Sequence, residues 1–479
     1  MAEMLNAKEI LRSIKAVDRQ QTLSALQAEL ADSPYKIVVL DDDPTGIQTV
    51  HGVSVYTNWD KASIEAGFAE KESMFFILTN SRGFTEQETI RCHIDIAERV
   101  QAVSEEKNIP YILISRSDST MRGHYPLETE ILKETIEEKG AASFDGEVII
   151  PFFKEGGRFT INNIHYVQDG DVLVPAGDTE FAKDRTFGFT ASDLGEWVEE
   201  KTNGRYTKEN TIYISLEDLR DQKVDKIKEQ LLLAKDFQKI VVNAVGYEDV
   251  EVFATALIKA IRAGKYFICR SAASLTKVLG DISDKPLLTR EEMLISKSRE
   301  NGGLIAVGSH VKKTTEQLQH LLDSGLVQGI EFDVHLVQDE EKFKKETERV
   351  RLACEEAIKN GQSVVYYTRR ERLDLGENKK EEELKQSVKI SDAVTSIVKD
   401  LAVQPSYVVA KGGITSSSIG TEGLSVKRAE VAGQVKPGIP VWKTGPESKF
   451  PNAAYIIFPG NVGQPETLKD VVAVLEDKE

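Results

Sequence analysis

The stretch KIVVLDDDPTG, residues 36–46, decides the fold class. Lys36–Leu40 is a short, β-branched apolar run without alternation, the pattern of a strand buried on both faces of a sheet. Three acids, Asp41, Asp42 and Asp43, follow it directly. Pro44 and Gly46 set a turn in which Thr45 can cap the next helix. Adjacent carboxylates repel, and a chain tolerates three of them here when a cation, a base's task or good solvation compensates. In an α/β sheet the carboxyl end of a strand is where ligands bind.

Working outward, similar runs recur at Ser73–Leu78, Tyr111–Ser115, Glu147–Pro151, Thr211–Ser215, Lys239–Val242 and Tyr266–Cys269, separated by longer, charged helical patterns. Pro286 and a charged stretch then lead to Asn301-Gly302-Gly303, and a fresh series begins: Leu304–Val307, Gly329–Asp333, Ser363–Tyr367, Tyr407–Ala410 and Tyr455–Phe458. The expectation is α/β, with two α/β domains of largely parallel sheet and an interdomain cleft. The expected parts are a helical N-terminal extension over 1–35, a first domain over 36–295 and a second over 296–479. The stretch Phe152–Trp197 breaks the rhythm. Asp169-Gly170 reads as a hairpin turn pairing Asn163–Val167 with Val172–Pro175. Glu371–Lys385 reads as a solvated helix or loop.

The chain has 479 residues, 61 basic and 78 acidic, for a net charge of −17. That balance argues against a general nucleic-acid or membrane-surface binder, though one local basic pocket still suits an anionic substrate. Cys92, Cys269 and Cys354 stand far apart, without the spacing of a disulfide framework or a cysteine zinc site. No HExxH and no GxSxG occurs, so zinc-hydrolase and serine-hydrolase chemistry lack support. His51, His124, His165 and His310 read as hydrogen-bonded structural residues. Residues 1–22 read as an amphipathic helix rather than a signal peptide, no apolar run reaches the length of a membrane span, and a soluble cytoplasmic protein is expected.

Further polar clusters follow buried strands. Arg116-Ser117-Asp118-Ser119-Thr120-Met121-Arg122-Gly123 places two arginines and hydroxyls around one acid, a set able to clamp a carboxylate or phosphate. Thr79-Asn80-Ser81-Arg82-Gly83, and Lys154-Glu155-Gly156-Gly157-Arg158, add polar groups and cations at the same edge. In the second series, Lys411-Gly412-Gly413-Ile414-Thr415-Ser416 joins a strand to a helical pattern, where glycines let backbone N–H groups approach an anion. It lacks the Walker spacing. Val307-Gly308-Ser309 and Pro459-Gly460-Asn461-Val462-Gly463 end two further strands, and the three could form a phosphate-cradling rim.

These motifs together resemble the four-carbon acid sugar kinases. The resemblance rests on Asp42-Asp43-Pro44-Thr45-Gly46, on Arg116–Gly123 and on Gly412–Ser416, with Gly157-Arg158, Thr160, Val307-Gly308-Ser309, Thr314 and Gln317 also fitting, and it spans roughly residues 36–470. It implies a sugar-acid-binding first domain and a nucleotide-binding second domain, and ATP-dependent phosphorylation of a tetronate or oxo-tetronate hydroxyl, with Mg2+ accompanying the nucleotide. By position, Ser309, Gly412, Gly413, Ile414, Thr415 and Gly460 would touch ATP. Thr45, Gly46, Arg116, Asp118, Ser119, Thr120, Arg122, Gly157 and Arg158 would hold the sugar acid. Asp42 or Asp43 would serve as base or orienting group. The chain departs from the usual pattern at Ile414, where many members carry an acid, at Phe458–Gly463, and at Arg116, where lysine is commoner.

Two other readings stand beside this one. Asp41-x-Asp43-x-Thr45 matches the opening motif of haloacid dehalogenase-type phosphatases, with Asp41 as nucleophile, Asp43 as acid/base and Mg2+ bound; it leaves Gly412–Thr415 unexplained. A non-catalytic protein that binds a nucleotide or sugar acid is the third, motivated by Ile414 and Pro459. The partners expected are small molecules, with no nucleic acid and no membrane.

Overall fold

The computed structural model describes residues 2–140, 143–294, 300–371, 380–460 and 462–478. It divides into two compact units, Met1–Asp284 and Lys285–Glu479.

In the first unit the strands are β1 (Leu5–Asn6), β2 (Lys36–Asp41), β3 (Ser54–Tyr56), β4 (Met74–Leu78), β5 (Tyr111–Arg116), β6 (Gly146–Ile150), β7 (Arg158–Ile161), β8 (Ile164–Asp169), β9 (Val172–Pro175), β10 (Ile212–Ile214), β11 (Gln238–Val242) and β12 (Phe267–Ser271). The main sheet runs β10-β11-β6-β12-β5-β2-β4-β3, parallel throughout. The apolar runs fill its middle: Val38, Phe75, Leu113 and Ile268 are almost fully buried under helices such as Glu86–Lys107. From β2 the chain moves to β4 on one side and then returns to β5 on the other. In sheets of this kind ligands bind at such a reversal, here the carboxyl ends of β2 and β5.

The stretch Phe152–Trp197 contributes a separate antiparallel sheet, β1-β9-β8-β7. The expected hairpin is present with its turn one residue later: Asp169 pairs with Val172, so Gly170 and Asp171 make the two-residue loop, and Gly170 has φ 58°. The N-terminus differs more from expectation. Instead of one amphipathic helix it forms strand β1, paired at Leu5↔Leu173, then helices Ala7–Ser13 and Arg19–Leu30. Asn6 and Asp18 accept hydrogen bonds from the N–H groups of Glu9 and Gln20 and so start two helices rather than one. The second helix docks on Tyr247–Arg262 through Arg19 and Thr22 with Glu251 and through Glu29 with Arg262.

The second unit holds β13 (Leu304–Val307), β14 (Gln328–Phe332), β15 (Val364–Thr368), β16 (Tyr407–Lys411), β17 (Arg428–Lys436), β18 (Ile439–Thr444) and β19 (Ala454–Phe458), ordered β17-β18-β19-β16-β13-β15-β14. The segment from β19 to β14 is parallel, while β17 and β18 are antiparallel additions that the sequence reading did not anticipate. Here too the chain reverses: β14 and β15 lie on one side of β13 and β16 on the other. The rest of Glu371–Lys385 is only partly visible: residues 372–379 lie outside the described residues, and a helix runs from Lys380 to Lys399. No helix among the described residues is long and apolar enough to cross a membrane.

Candidate functional site

In the first unit the polar cluster is built from strand ends in register. Asp41 pairs with Arg116, and Arg116 with Ser271, so the last residues of β2, β5 and β12 form one row on one sheet face. Arg116 Nη1 lies 3.2 Å from Asp41 Oδ1 and 3.7 Å from Asp42 Oδ1. All three residues are buried. Asp41 fits there because residue 46 lacks a side chain: a Cβ on Gly46 would stand 2.1 Å from each Asp41 carboxylate oxygen. Burial pushes the Asp41 carboxyl up to about 7, with Arg116 opposing and Asp42 and Asp43 adding to the rise.

Arg82, from the loop after β4, binds the acidic turn from outside. Its Nη2 donates to Asp42 Oδ1 at 2.6 Å, its Nε to Asp42 Oδ2 at 3.2 Å and its Nη1 to Asp43 Oδ2 at 3.2 Å. Ser117 Oγ donates to Asp42 at 2.5 Å. Thr45 donates to Asp43 through its N–H at 2.8 Å and its hydroxyl at 2.6 Å. Burial alone would raise the Asp43 carboxyl, but Arg82 and Thr45 bring it below its ordinary value, so it is ionised at neutral pH. Asp43 keeps 18% of its side chain accessible, against 3% for Asp42.

The Asp118–Arg122 segment closes on itself. Arg122 Nε donates to Asp118 at 2.8 Å, and the Thr120 hydroxyl also donates to Asp118. Although burial works against its charge, Arg82 and Arg122 hold the Asp118 carboxyl well below the usual range. Ser119 and Thr120 are buried, and the Ser119 carbonyl accepts from His165 Nε2 at 2.8 Å. His165 Nδ1 lies 3.0 Å from the Thr160 hydroxyl, and burial drops the imidazole to about 4, so it is neutral. The antiparallel sheet thus braces the loop. Gly157 closes the turn into β7 with its N–H on Lys154 O at 2.9 Å. Arg158 and Arg122 both lie over Phe181, at 5.9 and 5.1 Å. Burial lowers the Arg158 guanidinium, and Asp118 offsets part of that.

The accessible layer therefore consists of Asp43, Asp118 and Asp184 with Arg82, Arg122 and Arg158. Arg116 lies beneath, 5% exposed and engaged with the acids. Arg82 takes the outer place; the sequence marked its loop, but nothing in the residues distinguished it from an ordinary turn.

In the second unit the three glycine-bearing strand ends come together. Val307 pairs with Lys411, and Lys411 with Phe458. Gly412 has φ 118°, open to glycine alone without strain, and a Cβ there would sit 3.2 Å from Ser309 Cβ and 3.4 Å from Thr415 Oγ1. A Cβ on Gly308 would meet Thr415 Oγ1 at 2.6 Å, and one on Gly460 would lie 4.0 Å from both Gly412 Cα and Ser309 Oγ. Gly413 begins a short helix, Gly413–Ser418, and Ile414 on it is 74% exposed. Asn461 lies outside the described residues. Lys411 is buried and donates from Nζ to the carbonyls of Pro459 at 2.6 Å and Gly460 at 3.2 Å. Burial and nearby Lys313 bring its ammonium down to about 7. Thr314 and Gln317 hold the same segment through Gly460 O at 3.3 Å and Val462 O at 3.0 Å.

Residues 37–279 match the sugar-binding N-terminal domain, and residues 304–468 match the nucleotide-binding C-terminal domain. The chain belongs to the four-carbon acid sugar kinase family. Two solved structures share this family chain's fold. One is a Haemophilus influenzae protein of a domain family of unknown function, with TM-score 0.58 and 16% identity over 91% of this chain and 100% of that one. The other, from Salmonella typhimurium LT2 and carrying a tRNA synthase label, has TM-score 0.63 and 14% identity over 91% of this chain and 98% of its own. At such identity the likeness bears on fold alone. No curated protein matches the sequence.

Proposed function

We propose that the protein is an ATP-dependent kinase that phosphorylates a hydroxyl of a four-carbon sugar acid such as a tetronate or oxo-tetronate. The observation that carries this reading is the pairing of two different sites at equivalent places. In each unit the site lies where the strand order reverses, with acids and arginines in the sugar-binding unit and converging glycines in the nucleotide-binding unit.

In this reading Arg122 and Arg158 pair with the substrate carboxylate, while Arg82 holds Asp42 and Asp43. Asp43 is the better candidate for orienting the attacking hydroxyl, because it is ionised and accessible whereas Asp42 is buried under Arg82. The hydroxyl oxygen attacks the γ-phosphorus, the bond to the β–γ bridging oxygen breaks, ADP leaves, and the hydroxyl proton passes to Asp43. Ser309, the Gly412–Thr415 backbone and Gly460 cradle the phosphates. Mg2+ bound with the nucleotide would neutralise phosphate charge. Among the described residues no group of three acids, histidines or cysteines is placed to hold a metal, which fits an ion carried by phosphate oxygens and water. The phosphatase reading gains no support, since its nucleophile, Asp41, is 1% exposed and covered by Gly46.

The test is a thermal-shift screen of the full chain with Mg-ATP and a panel of four-carbon sugar acids, followed by ADP release on each hit. Acid-dependent ADP release identifies the kinase and its substrate. Stabilisation by both ligands without ADP on any acid overturns the kinase reading in favour of a binding protein.

A further inference from the structure

At the end of β15 two arginines stand side by side in opposite circumstances. Arg369 faces acids, with Asp333 at 3.5 Å and Glu371 at 3.2 Å. Arg370 turns inward and has no carboxylate partner among the described residues. Its Nη2 donates to the Ser309 carbonyl and, at 2.9 Å, to the Thr315 hydroxyl, while Nη1 lies 3.4 Å from the Thr368 carbonyl and hydroxyl. Its Nε is buried with no hydrogen-bond partner. Every partner it has among the described residues is neutral, and burial lowers its pKa, opposed by the Tyr367 phenol. A half-buried cation held only by carbonyls and hydroxyls is short of a counter-charge. Ser309, which it grips, is the residue whose Cβ and Oγ approach Gly412 and Gly460.

We infer that Arg370 is the guanidinium that neutralises the nucleotide's phosphates at the rim formed by Ser309, Gly412 and Gly460. This rests on the nucleotide-binding reading of that rim. The carbonyl and hydroxyl contacts fix the arginine's plane in advance, and its charge, unmatched by any carboxylate among the described residues, suits a phosphate. None of the motifs that suggested the family includes this residue.

The experiment measures binding of ATP, ADP, AMP, adenosine and inorganic tripolyphosphate to the wild-type chain and to Arg370→Met, Arg370→Lys and Arg369→Met by titration calorimetry. Removing one charge-assisted contact to an anion weakens binding by about ten- to a hundred-fold. The expected result is a loss of that size for ATP and tripolyphosphate in Arg370→Met, partial recovery in Arg370→Lys, adenosine unchanged, and Arg369→Met within about twofold of wild type. An equal loss for adenosine and ATP would mean that Arg370 merely shapes the Ser309 loop and would overturn the inference, as would unchanged ATP binding in Arg370→Met. If Arg370→Met does not fold, the ATP-to-adenosine ratio in Arg370→Lys decides in the same way. Absence of ATP and tripolyphosphate binding by the wild-type chain would instead overturn the underlying nucleotide reading.

Discussion

Gly46→Ala tests whether the acidic turn is built around a buried Asp41. The new Cβ would fall 2.1 Å from each Asp41 carboxylate oxygen, where ordinary contact begins at 3.4 Å. Neither side yields easily. Asp41 Oδ1 is tied to Arg116 Nη1 at 3.2 Å, and the Gly46 N–H donates to Asp43 O at 3.0 Å. Overpacking costs about 1–3 kcal/mol, and displacing one partner of a buried ion pair costs about 3–5 kcal/mol. Moving Asp41 to relieve the clash is itself what breaks the pair, so the two do not add, and we expect about 3–5 kcal/mol. For a unit spanning Met1–Asp284, an unfolding entropy of roughly 0.6 kcal/mol/K turns this into a Tm loss of about 5–8 °C. Calorimetry of wild type, Gly46→Ala, Asp41→Ala and the double variant measures it. In the Asp41→Ala background the methyl has room, and Gly46→Ala should then cost under about 1 kcal/mol. A Tm within about 1 °C of wild type for Gly46→Ala alone, or the same loss in both backgrounds, would refute the reasoning.

Three further outcomes are expected. Asp43→Asn should abolish phosphoryl transfer while leaving ATP affinity unchanged by calorimetry; retained turnover would remove Asp43 from the chemistry. Asp41, raised from 3.8 to about 7 in the folded chain, stabilises the fold fully below pH 4, and that contribution fades as pH rises through 7. Urea denaturation from pH 5 to 8 should therefore show wild type losing about 2.5 kcal/mol relative to Asp41→Asn, and parallel curves would count against the raised value. Lys411→Met removes the donor to Pro459 O and Gly460 O, and should weaken ATP binding by about tenfold with sugar-acid binding intact; an equal loss for both ligands would point to general unfolding.

Much of the scaffold was legible because parallel strands buried on both faces write themselves as unbroken apolar runs. Val38, Phe75, Leu113 and Val409 belong to such runs, and all lie in strands. The strands that escaped notice lack this signal. β17, with the segment RAEVAGQVK, alternates and contains three small residues, although Pro437-Gly438 after it was a readable turn. β1 is two residues long and exists through pairing with Leu173 and Val172, a contact no local pattern encodes. The same division runs through the site. Position after a strand marked Asp41–Asp43, Arg116–Arg122 and Gly412–Thr415, but depth was invisible. Arg116 is the last residue of β5 and is drawn into register with Asp41, whereas Arg82 sits one loop further out. Sequence adjacency likewise could not separate Arg369, paired with acids, from Arg370, which has no acid partner among the described residues.

Several buried polar groups of the chain lack a hydrogen-bond partner. In the core of a sheet an orphaned donor costs about 1–3 kcal/mol, and chains avoid it. Yet buried atoms without hydrogen-bond partners include Arg116 Nε, Arg158 Nε, Arg270 Nη1 and Ser271 Oγ at the carboxyl edge of the first sheet, and Arg370 Nε at that of the second. Lysines elsewhere show that this chain can satisfy a buried charge when nothing else is asked of it. Lys239, fully buried in β11, meets Glu147 at 2.5 Å and lies over Phe237 and Tyr206 at 3.8 and 4.1 Å. Lys239 comes with its own counter-charge, as Arg116 does in Asp41 and Asp42, whereas Arg370 has no carboxylate partner among the described residues. A guanidinium without a carboxylate beside converging glycines is what a protein needs if the missing charge is to arrive with its ligand.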